Sequence, residues 1–219
     1  MAHIHLPDGV LPITWVAFYW LISLALLGIV AFYFRRTGKS IEVKTLSVAG
    51  AATALAFVIF HVEVPILGGI HLNFTPMLGI LVGPIIGSVS AIIINILSAA
   101  VGHGGWGPIG LNFLINLVEI VFAFSAFLFL FRRRRVSPFI AALVATLIAL
   151  TVSNALMVGA ITVSGIQGVE GVEELQNLLL LALINEVAAV VESIVTGFLV
   201  AFLAKVKPEL LGGSKIEES

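Results

Sequence analysis

The chain has 219 residues, of which 60% are apolar and only 11% are charged, and its formal net charge is −1. Soluble domains carry about 25% charged residues, so this composition excludes a soluble protein of this size. The charge balance excludes a nucleic-acid partner, and the lack of cysteine excludes a disulfide scaffold and a thiolate metal site. The sequence therefore predicts an integral membrane protein in a lipid bilayer.

Long apolar runs predict where the chain crosses the membrane. A helix needs about 20 residues to cross a hydrocarbon core of about 30 Å. Four runs have this length, at about residues 13–34, 110–131, 139–163 and 178–204. Shorter runs lie between the first two of these, at about residues 45–60, 73–82 and 85–101. The pattern predicts an all-α protein of about seven transmembrane helices.

One of the seven predicted helices, residues 73–82, is too short to span a bilayer. We expect its neighbours to shelter it, and we expect Gly83 and Pro84 to turn the chain into the next helix.

The cationic residues predict the orientation. All eleven lysine and arginine residues follow the first, fifth and seventh predicted helices, within residues 35–44, 132–135 and 205–215. The positive-inside rule then predicts an outer N-terminus and a cytoplasmic C-terminus in the plasma membrane. We expect one transmembrane domain, residues 1–208, that includes an outer tail (1–11), and a polar cytoplasmic tail (209–219).

Histidines are confined to the predicted outer side. The chain has five of them, His3, His5, His61, His71 and His103. A neutral imidazole is the commonest side-chain ligand of divalent nickel, cobalt, copper and zinc. A single outer histidine is more often an ordinary loop residue, but five on one side favour a metal-binding function.

The N-terminus has chelating chemistry of its own. A terminal amine, a backbone amide and a following imidazole can bind a metal in a square-planar arrangement. If Met1 is removed, Ala2 and His3 offer three nitrogens and leave one position for another histidine. If Met1 is retained, the first three residues offer four nitrogens without a partner.

Several motifs carry a family resemblance. Residues 5–12, His-Leu-Pro-Asp-Gly-Val-Leu-Pro, resemble the Met-His-Ile-Pro-Asp-Gly-Phe-Leu start of the CbiM/NikM family. These proteins are the substrate-binding membrane (S) components of energy-coupling-factor transporters for cobalt and nickel. Further segments resemble the family in the expected order, at residues 65–72 (Pro-Ile-Leu-Gly-Gly-Ile-His-Leu), 81–84 (Leu-Val-Gly-Pro), 102–105 (Gly-His-Gly-Gly) and 110–112 (Gly-Leu-Asn).

The resemblance implies a metal held by the terminal amine, by the amide and imidazole of the second residue, and by a loop histidine that matches His71. By the Pro-Asp-Gly anchor, the family's tail histidine matches His5. By distance from the terminus it matches His3, provided that Met1 is cleaved. We favour Ala2, His3 and His71, because small chelate rings need the terminal amine, and we take His5 as auxiliary.

His103 stands where the family has an acidic residue, and it is a further candidate ligand. Nickel and cobalt are not distinguished by the sequence. The metal is a transported ligand rather than a cofactor.

The resemblance also implies partners: a transmembrane coupling (T) component, two cytoplasmic ATPase subunits and, as an option left open, a small accessory membrane subunit. The chain has no phosphate-binding loop, so ATP hydrolysis must come from those partners. We therefore expect the substrate-capture subunit of an ABC importer for Ni²⁺ or Co²⁺, and not an enzyme.

Polar residues within the apolar runs are candidate functional groups. Asn112, Asn116 and Glu119 share one helix face, and Asn112 could orient a metal ligand. Glu119, like Glu186 and Glu192, could either join helices by hydrogen bonds or relay protons.

Other functions and contacts remain open. Proton relay would suit a stand-alone proton-coupled transporter of divalent metals. An intramembrane metallo-enzyme is a further alternative, with Glu63 as its candidate base. Ala52 and Ala56 lie on a small-residue helix face, and they could dock the coupling component or pack within the chain.

Overall fold

A computed structural model describes residues 6–37, 43–61, 72–165 and 172–208, together with Leu211. Every regular element in these residues is helical. In chain order they are α1 (Ile13–Thr37), α2 (Val43–Phe60), α3 (Thr75–Ala100), α4 (Ile109–Leu128), a π-helical turn (Phe129–Arg133), α5 (Pro138–Ser164) and α6 (Val172–Val206). Five of these helices are long and apolar enough to cross a membrane, and α2 is shorter. The predicted all-α membrane fold is confirmed.

Helix α3 joins two of the predicted segments across a kink. Gly83 has φ 75° and ψ 173° inside the helix, and Pro84 follows it. Proline cannot donate the helical hydrogen bond, and glycine readily adopts a positive φ, so the pair breaks the helix where the sequence predicted. We call Thr75–Val82 the first arm of α3. All eight of its residues are buried, as expected for a segment too short to span alone.

Helix α4 lies at the centre of the packing. It contacts α1, α3 and α5, while α6 packs on α5 and α2 packs on α3. The first arm of α3 approaches α4 closely at Gly79, where a Cβ atom would lie 2.5 Å from the carbonyl oxygen of Ile120. Apolar side chains also cover the outer surface, as on α1, where Ile13, Leu21 and Ile29 are exposed. Such a surface suits contact with lipid.

Some of the small residues of α2 face inward. Ala52 and Ala56 are buried in the main core. The sequence left open whether Ala52 and Ala56 dock the coupling component or pack within the chain. Their burial agrees with packing within the chain. The Thr53 and Ser90 hydroxyl groups share a hydrogen bond of 2.8 Å that joins α2 to α3.

Cations cluster where α1, the π-helical turn and α6 end. Arg35 and Arg36 close α1, and Lys205 lies in the last turn of α6. The four arginines at residues 132–135 are exposed. The assignment of this end to the cytoplasm follows from the positive-inside rule and stays a prediction. Leu211 is buried in the main core, so the chain remains packed beyond the start of the predicted polar tail.

Candidate metal-capture site

The described part of the N-terminal tail packs into the bundle opposite the cationic end. Leu6 and Leu11 are buried in an apolar cluster with Leu111 of α4 and Met157 of α5. Burying a leucine side chain contributes about 2 kcal/mol. These two residues therefore anchor the tail between α4 and α5.

A glycine-rich loop between α3 and α4 receives the tail through backbone groups. The Asp8 carboxylate accepts hydrogen bonds from the backbone N–H groups of Gly107 (2.7 Å) and Trp106 (3.1 Å). Gly105 donates its N–H to the carbonyl oxygen of Leu6 at 3.1 Å. We call these three hydrogen bonds the tail clasp.

Gly105 of this loop is required by the close approach of the tail. A Cβ atom at Gly105 would lie 2.6 Å from both the nitrogen and the Oδ1 atom of Asp8. Real Cβ atoms do not come this close, so any larger residue would displace the tail. The sequence offered the loop motif only as a resemblance to a family. The contact shows what Gly105 of that motif does, which is to let the tail approach the loop.

The principal predicted metal ligands lie outside the described residues. They are Ala2, His3, His5 and His71. Within the four described ranges, no group of three or more His, Cys, Asp or Glu side chains could hold a metal. The structure does describe the residues that flank these ligands, Leu6 after His5 and Leu72 after His71.

Asn73, two residues after His71, is held by two buried carboxylates. Its backbone N–H donates to Glu192 of α6 at 2.8 Å, and the N–H of Phe74 donates to the other oxygen of Glu192 at 2.9 Å. The Asn73 side-chain amide donates to Glu119 of α4 at 2.6 Å. Glu119 and Glu192 are both fully buried.

This network closes with two hydroxyl groups. Ser153 of α5 donates to Glu119 at 2.7 Å, and Thr75 donates to the Oδ1 atom of Asn73 at 2.5 Å. Glu192 thus binds the two backbone N–H groups that directly precede the first arm, near the helix end where the dipole favours a negative charge. Four helices are joined at one point inside the bundle, which fixes the chain directly after His71.

Asn73 and Thr75 were not among the residues singled out from the sequence. A signal was present, because Asn-Phe-Thr-Pro is a helix-start pattern with small polar residues before proline. The pattern could have located the start of the arm. It could not have shown that Glu119 and Glu192 bind there.

The predicted polar face of α4 is buried. Asn112, Asn116 and Glu119 all lie inside the bundle. The Oδ1 atom of Asn112 is buried and has no hydrogen-bond partner among the residues that the structure describes. It lies next in sequence to Leu111, which contacts the tail cluster. A buried acceptor is thus available on the turn of α4 that packs against the tail.

Glu186 joins α5 to α6. Its carboxylate accepts hydrogen bonds from the Thr151 hydroxyl at 2.9 Å and the Asn154 amide at 3.0 Å. The sequence left open whether the membrane carboxylates join helices or relay protons. The observed contacts of Glu186 are hydrogen bonds that join two helices.

His103, the remaining candidate ligand, lies in the tail-binding loop. Its ring centroid is 4.8 Å from that of His61 at the end of α2. His103 and the tail clasp thus lie at the same end of the bundle.

Comparisons with known proteins agree with this architecture. A crystal structure of a transition metal transporter has a TM-score of 0.78 at 19% identity, covering 94% of this chain and 95% of that one. A truncated transition metal transporter has a TM-score of 0.74 at 18% identity, covering 93% of this chain and 99% of the other. At these identities the likeness establishes the fold.

Sequence relatives are cobalt transport proteins. A protein of Methanocorpusculum labreanum, named provisionally as cobalt transport protein CbiM 1, is 26% identical over 215 residues, covering 94% of this chain and 91% of that protein. The cobalt transport protein CbiM of Nostoc sp. is 30% identical over 160 residues, covering 68% of this chain and 60% of that protein.

The family model for CbiM, described as the cobalt uptake substrate-specific transmembrane region, matches residues 5–210. This match includes the tail clasp, the first arm of α3 and every described helix. Members of this family are components of metal transporters and not enzymes. The apolar helices make this chain a multi-pass membrane protein. The chain belongs to the CbiM family of cobalt-uptake membrane proteins.

Proposed function

We propose that this chain is the substrate-capture (S) subunit of an energy-coupling-factor importer for Ni²⁺ or Co²⁺. The ion binds from outside to the terminal amine, to the amide and imidazole of His3, and to His71. His5 is an auxiliary ligand near the same site. The tail clasp supports this proposal, because it ties Leu6 and Asp8 to the loop between α3 and α4.

Chain length supports a meeting of the tail with His71. With Ala2 as the terminal residue, four residues precede Leu6, and an extended chain reaches at most about 3.5 Å per residue, or about 14 Å. Leu111, which packs with Leu6, and Glu119, which holds Asn73, are separated along α4 by about 12 Å at 1.5 Å per residue. The tail can therefore reach the chain around His71.

Asn112 offers further support. Its Oδ1 atom can accept a hydrogen bond from the N–H of a ligand imidazole or from the terminal amine. Such contacts fix the orientation of a metal-binding histidine and raise its basicity. Glu119 and Glu192 hold the segment after His71 through Asn73, and their role in this proposal is to position that ligand.

Transport requires partners in this proposal. A transmembrane coupling component and two cytoplasmic ATPases reorient the subunit so that its site faces inward, with or without a small accessory membrane subunit. A stand-alone proton-coupled transporter would instead move metal in liposomes that hold only this chain and a pH gradient. We expect uptake only when the partner subunits and ATP are added.

Metal binding to the purified chain tests the capture site. Ni²⁺ or Co²⁺ is titrated into the chain with its native N-terminus, and intact mass establishes whether Met1 is present. Extension of the N-terminus by one residue, His3→Ala and His71→Ala should each weaken this site at least tenfold. His5→Ala should have a smaller effect. Unchanged binding after the extension would exclude the terminal amine as a ligand.

A further inference from the structure

Two histidines that are distant in sequence meet at the end of the bundle opposite the cationic end. His61 directly follows α2, and His103 lies in the loop between α3 and α4. Their ring centroids are 4.8 Å apart, and the ring planes are inclined by 50°.

The His61 ring is held in one tautomer. Its Nδ1 atom lies 2.7 Å from the carbonyl oxygen of Phe57. A carbonyl oxygen can only accept, so Nδ1 carries the proton and Nε2 keeps its lone pair. This Nε2 atom is buried and has no hydrogen-bond partner in the described ranges. A histidine that donates one ring N–H to a carbonyl and presents the other nitrogen is arranged as a metal ligand.

The loop holds His103 in place opposite His61. Its backbone N–H donates to the carbonyl oxygen of Ser98 at 2.8 Å, which ties the loop to the end of α3. Gly102 (φ 82°) and Gly104 (φ 97°) on either side adopt the left-handed conformations that the turn needs. The Phe60 ring lies 5.4 Å from the His103 ring and forms an apolar wall beside the pair.

The spacing fits two imidazoles on one ion. With metal–nitrogen bonds of about 2.0–2.1 Å, two imidazole centroids lie about 4.5 Å apart at a bond angle of about 90° and about 5.2 Å apart at about 109°. The observed 4.8 Å lies between these values. Imidazole nitrogens suit nickel, copper and zinc, and water can fill the other coordination positions.

We propose that His61 and His103 form a second metal site that takes one borderline divalent ion, separate from the proposed capture chelate. His103 lies two residues before Gly105, whose N–H belongs to the tail clasp. An ion at this site would join α2 to the loop that holds the tail. The site collects metal at the outer end of the bundle and stiffens that loop.

A variant that carries His3→Ala, His5→Ala and His71→Ala tests the site in isolation. It removes the histidines of the proposed capture site and leaves His61 and His103 as the only imidazoles in the chain. We expect the full-length variant in lipid nanodiscs to bind about one Ni²⁺ per chain by equilibrium dialysis. Adding His61→Ala or His103→Ala should weaken that binding at least tenfold, while Val101→Ala at the exposed end of α3 should not.

A gain of function separates a lost ligand from a lost fold. The chain has no cysteine, so His103→Cys introduces a single thiolate. Soft thiolate donors favour Cd²⁺, so this variant should bind Cd²⁺ at least tenfold better than its parent and show thiolate-to-metal absorption. The proposal is overturned if the triple-alanine chain binds no Ni²⁺, or if binding is indifferent to His61 and His103. Neither result would bear on the capture chelate, because the triple-alanine chain lacks the histidine ligands of that chelate.

Discussion

The Glu192 carboxylate of α6 accepts the backbone N–H of Asn73 at 2.8 Å, although 119 residues separate the two. Through its second oxygen it also accepts the N–H of Phe74, so one side chain satisfies two donors at the start of a buried helix. Inside a membrane protein no bulk water can replace such an acceptor. Glu192 therefore fixes the backbone directly before the first arm of α3.

Removing this carboxylate should destabilise the bundle. Glu192→Ala leaves two buried N–H groups without their acceptor, and each such group costs about 1–3 kcal/mol. We expect the free energy of unfolding to fall by about 3 kcal/mol, and by about half as much for Glu192→Gln, whose single carbonyl oxygen can serve one donor. Unfolding by SDS in mixed micelles, followed by circular dichroism, measures both changes.

Glu186→Gln is the matched control for Glu192. Glu186 lies on the same helix, is partly exposed and accepts from two side chains, which can turn to other acceptors. We expect its loss to stay below about 1 kcal/mol. If the two glutamine variants lose the same free energy of unfolding, the hydrogen bonds from Asn73 and Phe74 to Glu192 add no stability beyond an ordinary contact between helices.

Glu119 and Asn73 should be energetically coupled. Their 2.6 Å hydrogen bond joins α4 to the start of the first arm. In a double-mutant cycle of Glu119→Gln and Asn73→Ala, we expect a coupling free energy of about 1–3 kcal/mol, as for neighbours in one buried network. The pair Glu119→Gln and Thr151→Ala shares no hydrogen bond and should be additive. Additivity of the first pair would contradict the network.

The broad fold follows from local features of the sequence. Run length and hydropathy predicted the long helices, and the Gly83-Pro84 pair predicted the kink, because both act on their own stretch of backbone. The small residues of α2 predicted a close approach but could not identify the neighbour. Ala52 and Ala56 are buried within the chain because α2 packs on α3, and that contact depends on the whole topology.

The candidate site was only partly predictable, because its contacts also depend on the whole topology. Glu119 was singled out because a carboxylate in an apolar run is conspicuous, yet its role depends on Asn73, which is distant in sequence. The pairing of His61 with His103 likewise depends on where α2 and the loop meet. The resemblance implied that the terminal amine and a loop histidine share one metal, but the partners of Asp8 become visible only in the fold.

The helical glycines should differ sharply in tolerance. At Gly79 a Cβ atom would meet the backbone of Ile120 at 2.5 Å, whereas at Gly87 it would meet only the Ile120 side chain at 3.1 Å, and at Gly159 nothing lies within 4 Å. Gly79→Ala should therefore cost about 3 kcal/mol or more, and Gly87→Ala less. Gly159→Ala should be neutral or stabilising by up to about 1 kcal/mol, because alanine favours helix. Thermal unfolding gives the ranking, and a Gly79→Ala protein as stable as Gly159→Ala would contradict the close approach of α3 to α4.

Release of the tail should weaken metal capture without unfolding the chain. Asp8→Ala removes two hydrogen bonds of the tail clasp, and at an exposed position we expect a cost of about 1 kcal/mol in tail docking. The affinity for Ni²⁺ or Co²⁺ should then fall about fivefold, measured by titration of the chain with its native N-terminus. Asp8→Asn keeps one acceptor oxygen and should lose less.

Gly105→Ala provides a second way to displace the tail, since its Cβ atom would collide with Asp8. It should match or exceed the loss of affinity caused by Asp8→Ala, while the unfolding midpoint of the metal-free bundle changes little in both variants. Proteolysis should cut the tail faster in both, because it is docked for a smaller fraction of the time. If the tail is released but the affinity is unchanged, the ion does not depend on the docked N-terminus, and its ligands must be sought among the loop histidines.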